Sequence, residues 1–194
     1  MEEFIEAVLG KRNNEVKHFL LEGYNPNLVV GPLNRSLLMV AVYNQDIEMV
    51  RALLEAGANT NHQDKNGLTA LIDASYKGYG QIVDLLLQKD SDVNLVDYNF
   101  HTTALIAAVR GMELDIAKKL IQHGADPAVA DIDGWTALHY AIYRKDIQMI
   151  ETLVLLVDFN VDSLVEHAMS LLERDSISKE EFNCIQLALF RRLT

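Results

Sequence analysis

The residues best suited to chemistry in this chain are few and scattered. Asp131 and Asp133 lie two apart in Asp-Ile-Asp-Gly, the composition of a general acid–base pair. The same stretch offers carboxylate oxygens to a cation, but it is too short for the ligand spacing of a calcium loop. The one cysteine, Cys184, is a nucleophile by type. It falls within the apolar spacing of the last helix, which predicts a packing role. Gly78-Tyr79-Gly80 comes nearest to a phosphate-cradling loop, yet it lacks a third glycine. No His-Glu-x-x-His occurs, and the six histidines do not cluster. These residues form no catalytic or metal-binding set, so no enzyme activity, cofactor or metal is expected.

The elements that carry these residues repeat. Ala7, Ala41, Ala74, Ala108 and Ala141 recur every 33 or 34 residues, as do Gly23, Gly57, Asp90 and Gly124. Ser36, Thr69, Thr103 and Thr136 each precede a short apolar run and are placed to cap a helix N-terminus. Ile82, Val83, Leu85, Leu86 and Leu87 make an apolar stripe too broad for one helix pair to cover, so neighbouring pairs must stack on it. Gly57 and Gly124 end the second helix of their units. The Asp-x-x-Gly stretches that follow predict hairpin-like turns between units.

A period near 33 residues with this internal pattern resembles the ankyrin repeat. DKNGLTALIDAS (64–75) and DIDGWTALHYAI (131–142) resemble that family's turn and first helix. IEMVRALLEAGANTN (47–61) and LDIAKKLIQHGADPA (114–128) resemble its second helix and loop. The resemblance covers about residues 2–162. It implies an all-α solenoid of about five helix pairs with hairpin-like turns: residues 1–30 as an N-terminal capping repeat, then repeats at 31–63, 64–96, 97–130 and 131–162. It also makes Asp131 a turn aspartate and His139 a structural histidine rather than catalytic groups. The family's proline at the first helical position is replaced by Leu37, Ala70, Ala104 and Ala137, and its histidine by Met39, Ile72 and Ile106. Repeat four carries one extra residue in its turn and no glycine there, which predicts a bulge.

Residues 163–194 leave the pattern and are expected to form a C-terminal helical cap. Ser163 with Glu166, and Ser178 with Glu181, fit capping boxes; Ile177 and Phe182 fit a hydrophobic staple across the second. Leu164, Ala168, Leu171 and Leu172 follow helical spacing, and Arg191 and Arg192 suit a helix C-terminus. An alternative turns Ile185, Leu189 and Phe190 outward toward a partner or a second copy of the chain.

The resemblance further implies a concave binding face built from turn tips and first helices. Its positions here are Tyr43 and Asn44, Tyr76 and Lys77, Arg110 and Gly111, and Tyr143 and Arg144 at the helix ends. At the tips they are Lys65 and Asn66, Tyr98 and Asn99, and Ile132 and Asp133. Leu68 and Trp135 lie between turn and cap, with Phe100 or His101 filling that place in repeat four. Tyrosine, tryptophan and arginine are the residues enriched at binding hot spots. The bland alternatives are that Trp135 packs on a neighbouring turn and that the tyrosines stack on one another.

The expected function is therefore a non-catalytic protein-interaction module, an adaptor or scaffold. The alternative is an inhibitor or immunity-type protein that blocks a target enzyme, suggested by small size and a net charge of -11. That charge weighs against nucleic acid as a partner. No apolar run is long enough for a membrane span. A single cysteine and an acidic N-terminus predict an intracellular protein, and a monomer is expected.

Overall fold

Repeats two to five begin where a hydroxyl side chain captures a free helix N–H. The Ser36, Thr69 and Thr103 side chains accept from the backbone N–H of Met39, Ile72 and Ile106, starting α3 (Leu37–Tyr43), α5 (Ala70–Tyr76) and α7 (Ala104–Gly111). Thr136 starts α9 (Ala137–Arg144) differently: its N–H donates to His139 Nδ1 at 3.2 Å, and its Oγ1 lies 2.8 Å from the same nitrogen. The first repeat opens directly as α1 (Glu2–Leu9). The partner helices are α2 (Asn13–Leu21), α4 (Ile47–Glu55), α6 (Gly80–Leu87), α8 (Leu114–Gln122) and α10 (Ile147–Leu156). This computed structural model describes residues 1–156, 165, 166, 168–170, 173 and 178–190.

Within each repeat the chain reverses through one left-handed residue: Lys11, Gln45, Gly78, Met112 or Lys145. The helices then fall into two rows. In the inner row α1, α3, α5, α7 and α9 stack in succession, and in the outer row α2, α4, α6, α8 and α10 do the same. The periodic alanines lie between the rows, each no more than 1% exposed, where a larger side chain would force the rows apart. Leu38, Leu71, Leu105 and Leu138 are buried beside them. Burying such a side chain contributes about 1.5–3 kcal/mol.

Asparagines tie the loops beyond the outer row. The Oδ1 atoms of Asn27, Asn61 and Asn94 accept from the N–H of Asn59, Asp92 and Asp126, one repeat on, each at 2.7 Å. The only strands among the described residues form a small hairpin before α3. There β1 (Val29–Val30) pairs antiparallel with β2 (Arg35–Ser36).

The helix α11 (Lys179–Phe190) packs on α10. Its start is a capping box: Ser178 N–H donates to Glu181 Oε2 at 2.7 Å and Glu181 N–H donates to Ser178 Oγ at 3.2 Å. Ile185 and Leu189 are fully buried on the chain itself, so they do not face a partner as the outward-facing alternative would require. Cys184 corrects the sequence reading: it is exposed rather than packed. It lies about 100° around the helix from Ile185, off the buried stripe. Ser163, Leu164, Leu171, Leu172, Ile177, Arg191 and Arg192, and the side chain of Phe190, lie outside the described residues.

Candidate functional site

The tips are organised by one aspartate per turn. Asp64 Oδ1 accepts from the N–H of Asn66 and Leu68 at 2.8 and 3.1 Å; Asp131 Oδ1 accepts from Asp133 and Trp135, both at 2.9 Å. Asp97 holds a longer turn. Its Oδ1 accepts from Asn99 and Phe100 at 3.0 and 2.8 Å, and its Oδ2 from Thr102 at 2.8 Å. The extra residue is thus accommodated as a bulge. His101, at φ 55°, takes the left-handed place that Gly67 and Gly134 take in repeats three and five. Both Asp131 oxygens are thus engaged within the repeat, Oδ2 accepting from the Tyr140 hydroxyl at 2.6 Å, the arrangement of a structural turn aspartate.

Successive tips are joined through the backbone. Lys65 N–H donates to the carbonyl of Leu33, Tyr98 N–H to Asn66 and Ile132 N–H to Phe100, at 2.9, 2.8 and 3.1 Å. This ladder sets Lys65, Tyr98, Phe100 and Ile132 outward as exposed side chains, with Asn99, His101 and Asp133 exposed between them. Asn66 and Leu68 are half-buried at the base of their turn. The Tyr98 hydroxyl donates to Gln63 Oε1 at 3.2 Å.

Beside the tips, the ends of the inner helices form the expected column. Tyr43, Tyr76 and Tyr143 are 60%, 53% and 52% exposed, Arg144 is exposed, and Asn44, Lys77 and Arg110 are half-buried. The tyrosines do not stack on one another. Lys77 Nζ instead lies 4.2 Å over the Tyr43 ring, one repeat away, and 2.9 Å from Asp73 Oδ2. The Arg35 guanidinium lies 5.8 Å from the same ring. At Gly111 the inner helices approach closely; a Cβ there would lie 2.5 Å from the Tyr76 carbonyl. Trp135 is half-buried and packs against rings of its own repeat. Its ring meets Tyr140 at 5.2 Å and Tyr143 at 5.5 Å. Arg110 lies 5.4 Å over Tyr140, and Arg144 Nη2 donates to the Arg110 carbonyl at 3.0 Å.

Sequence reasoning missed Tyr140 and its counterparts Asp73 and Ala107. They occupy the fourth position after each capping threonine, and they line the groove floor between tip and column. The signal was available: Tyr140 precedes Tyr143 by three residues, which places both on one helix face. Burial and the Asp131 hydrogen bond push the Tyr140 hydroxyl up to about 12. Burial lowers the His139 imidazole, which outweighs attraction to Asp131. Accepting an N–H at Nδ1 likewise suits the neutral ring.

Between repeats three and four the groove deepens to a hollow of about 310 Å³, lined by Leu68, Ile72, Tyr76, Phe100, Ala107 and Arg110 among others. Two sequence features make it. Ala107 is small where Tyr140 fills the matching space in repeat five, and the bulged turn carries Phe100 outward. No group of acidic, histidine or cysteine side chains suited to a metal occurs among the described residues. None of the described helices is long and apolar enough to cross a membrane.

The geometry agrees with comparisons to known proteins. Models described as ankyrin repeats match residues 4–97 and 107–154. The chain is similar to a putative ankyrin repeat protein of fowlpox virus, 35% identical over 61% of this chain and 36% of that protein. It is also similar to the nuclear factor NF-kappa-B p105 subunit of Gallus gallus, 33% identical over 68% of this chain but 14% of the other. A putative ankyrin repeat protein of Acanthamoeba polyphaga mimivirus is 30% identical over 68% of this chain and 85% of its own length. The fowlpox and chicken proteins thus extend well beyond the matched repeats.

Proposed function

The chain belongs to the ankyrin-repeat family, whose repeats generally mediate protein–protein interaction, and from that premise we propose that it is a non-catalytic module that binds a partner protein on its concave face. The observation that carries this reading is the continuity of the strip. Tyr43, Tyr76, Arg110, Tyr143 and Trp135 lie along one row of stacked helices, beside tips locked in register by their backbone ladder. Preordered aromatic side chains lose little freedom on binding, so their contact area converts efficiently to affinity.

Charge favours an adaptor over an inhibitor of basic enzymes. The acidic residues Glu15, Glu22, Glu48, Glu55, Asp84 and Asp115 lie on the outer row or its ends, whereas the groove carries Lys65, Arg110 and Arg144 against the exposed acid Asp133. Among the described residues these three cations make no ion pair. An acid-led inhibitor would present the opposite face. We further propose that the protein acts inside the cell as a monomer, since α11 covers the end of the array with its own Ile185 and Leu189.

The test is capture from native lysate with the wild type and a Tyr43→Ala/Tyr76→Ala variant, with helicity and melting temperature as controls for folding. Loss of the same specific protein from a folded variant supports the groove. Full retention would contradict it.

A further inference from the structure

We propose that the hollow between repeats three and four is an anchor pocket for one large apolar side chain of an acidic peptide segment, with Arg110 pairing a neighbouring carboxylate of that segment. This rests on the concave-face reading and sharpens it to one site and one chemistry. The volume, about 310 Å³, is at the lower end for small-ligand sites. Its floor and walls are Leu68, Ile72, Ala107 and the rings of Tyr76 and Phe100, which reward an apolar side chain.

Two carboxylates also line the hollow, but neither is free to recruit a cation. Asp97 accepts three backbone N–H groups, and Asp73 is paired with Lys77 at 2.9 Å. Arg110 at the rim is different. It makes no ion pair among the described residues, and its guanidinium is held over the Tyr140 ring, leaving its charge for a ligand. Arg144 is fixed beside it through the Arg110 carbonyl. On a chain of net charge -11 these two arginines stand at a corner that also holds Asp97, Asp131 and Asp133, so the pairing expected is a local one, Arg110 to a single carboxylate. The backbone N–H groups of Lys65, Tyr98 and Ile132 are spent on the ladder, so a segment cannot dock by adding a strand at those groups and must be read by side chains.

The probe is a displayed library of random short peptides, selected at low salt on the wild type and counter-selected on an Arg110→Glu variant. Selected sequences are then synthesised and titrated. The expected consensus holds a large apolar residue next to Asp or Glu. Its affinity should fall by about tenfold when either residue is replaced by serine, and equally on Phe100→Ala or Arg110→Glu protein that retains wild-type helicity. A consensus rich in Lys or Arg, affinity indifferent to both Phe100→Ala and Arg110→Glu, or no enrichment over the counter-selected variant would overturn the proposal. Peptides lost on Tyr43→Ala yet indifferent to Phe100 and Arg110 would overturn the pocket alone and leave the wider groove standing. Peptides indifferent to all three would remove both.

Discussion

Two glycines at the same place in different repeats allow the stacking of the tips to be measured. Gly67 and Gly134 both have left-handed backbones, φ 76° and 80°, in their Asp-x-x-Gly turns. Among the described residues a Cβ built on Gly134 meets nothing within 4 Å, whereas one on Gly67 would lie 2.5 Å from Tyr98 N and 2.7 Å from the Tyr98 ring. Gly134→Ala therefore carries only the cost of a left-handed alanine, about 1–2 kcal/mol. Gly67→Ala carries the same cost plus forced displacement of the next tip, about 1–3 kcal/mol more by analogy with overpacking. It should also loosen the 2.8 Å bond from Tyr98 N–H to Asn66. Urea unfolding followed by far-UV circular dichroism gives the two losses, and hydrogen exchange at the Tyr98 amide gives the local effect. Equal losses, within a few tenths of a kcal/mol, with Tyr98 protection unchanged, would refute the account of the tips.

Other perturbations reach the groove's supports. Tyr140→Phe removes a 2.6 Å donor from a buried carboxylate and should cost about 1.5–3 kcal/mol in denaturant unfolding. Because the folded phenol titrates near 12 and the unfolded one near 10, its stabilising contribution is fully present below about pH 10 and is lost as pH rises toward 12. Alkaline melts of Tyr140→Phe should lack that part of the slope. Arg35 lies 3.6 Å from Asp64 Oδ2, an oxygen with no hydrogen-bond partner among the described residues, on a side chain with no exposure. Arg35→Ala should then cost about 1–3 kcal/mol, against near-neutral behaviour for Lys65→Ala at the exposed tip. His139 is depressed in the folded state, so the unfolded chain takes up a proton first as pH falls. Its contribution is present above about pH 6.5 and declines as pH drops through the folded value. Melts between pH 5 and 7 should be flatter in His139→Gln.

The array was legible because its determinants are local and repeated. A buried alanine at the contact between rows, and a hydroxyl five residues before it in repeats two to five, are each set by packing or capping within a few residues. The bulge of repeat four was legible for the same reason, as an insertion against the Asp-x-x-Gly turn of repeat three. What escaped depends on contacts between repeats. Lys77 finds the ring of Tyr43 some 34 positions earlier, and nothing in the local pattern around either residue specifies that pairing. The hollow escaped because it is made by a missing side chain, Ala107, at a position whose importance is visible only beside Tyr140 in the stack. Cys184 was misread because a helix with apolar residues at nearby positions has a boundary to its stripe. Helical spacing alone does not say on which side of that boundary a residue falls.

The central claim is that stacked inner helices turn separate tyrosines, arginines and tip residues into one recognition surface. Amide hydrogen exchange of the chain, free and bound to a captured partner protein, tests it most directly. The account predicts added protection at the C-terminal ends of α3, α5, α7 and α9 and across the tips near residues 65–68, 98–101 and 132–135. Protection confined to the outer row or to α11, with those segments unchanged, would contradict it.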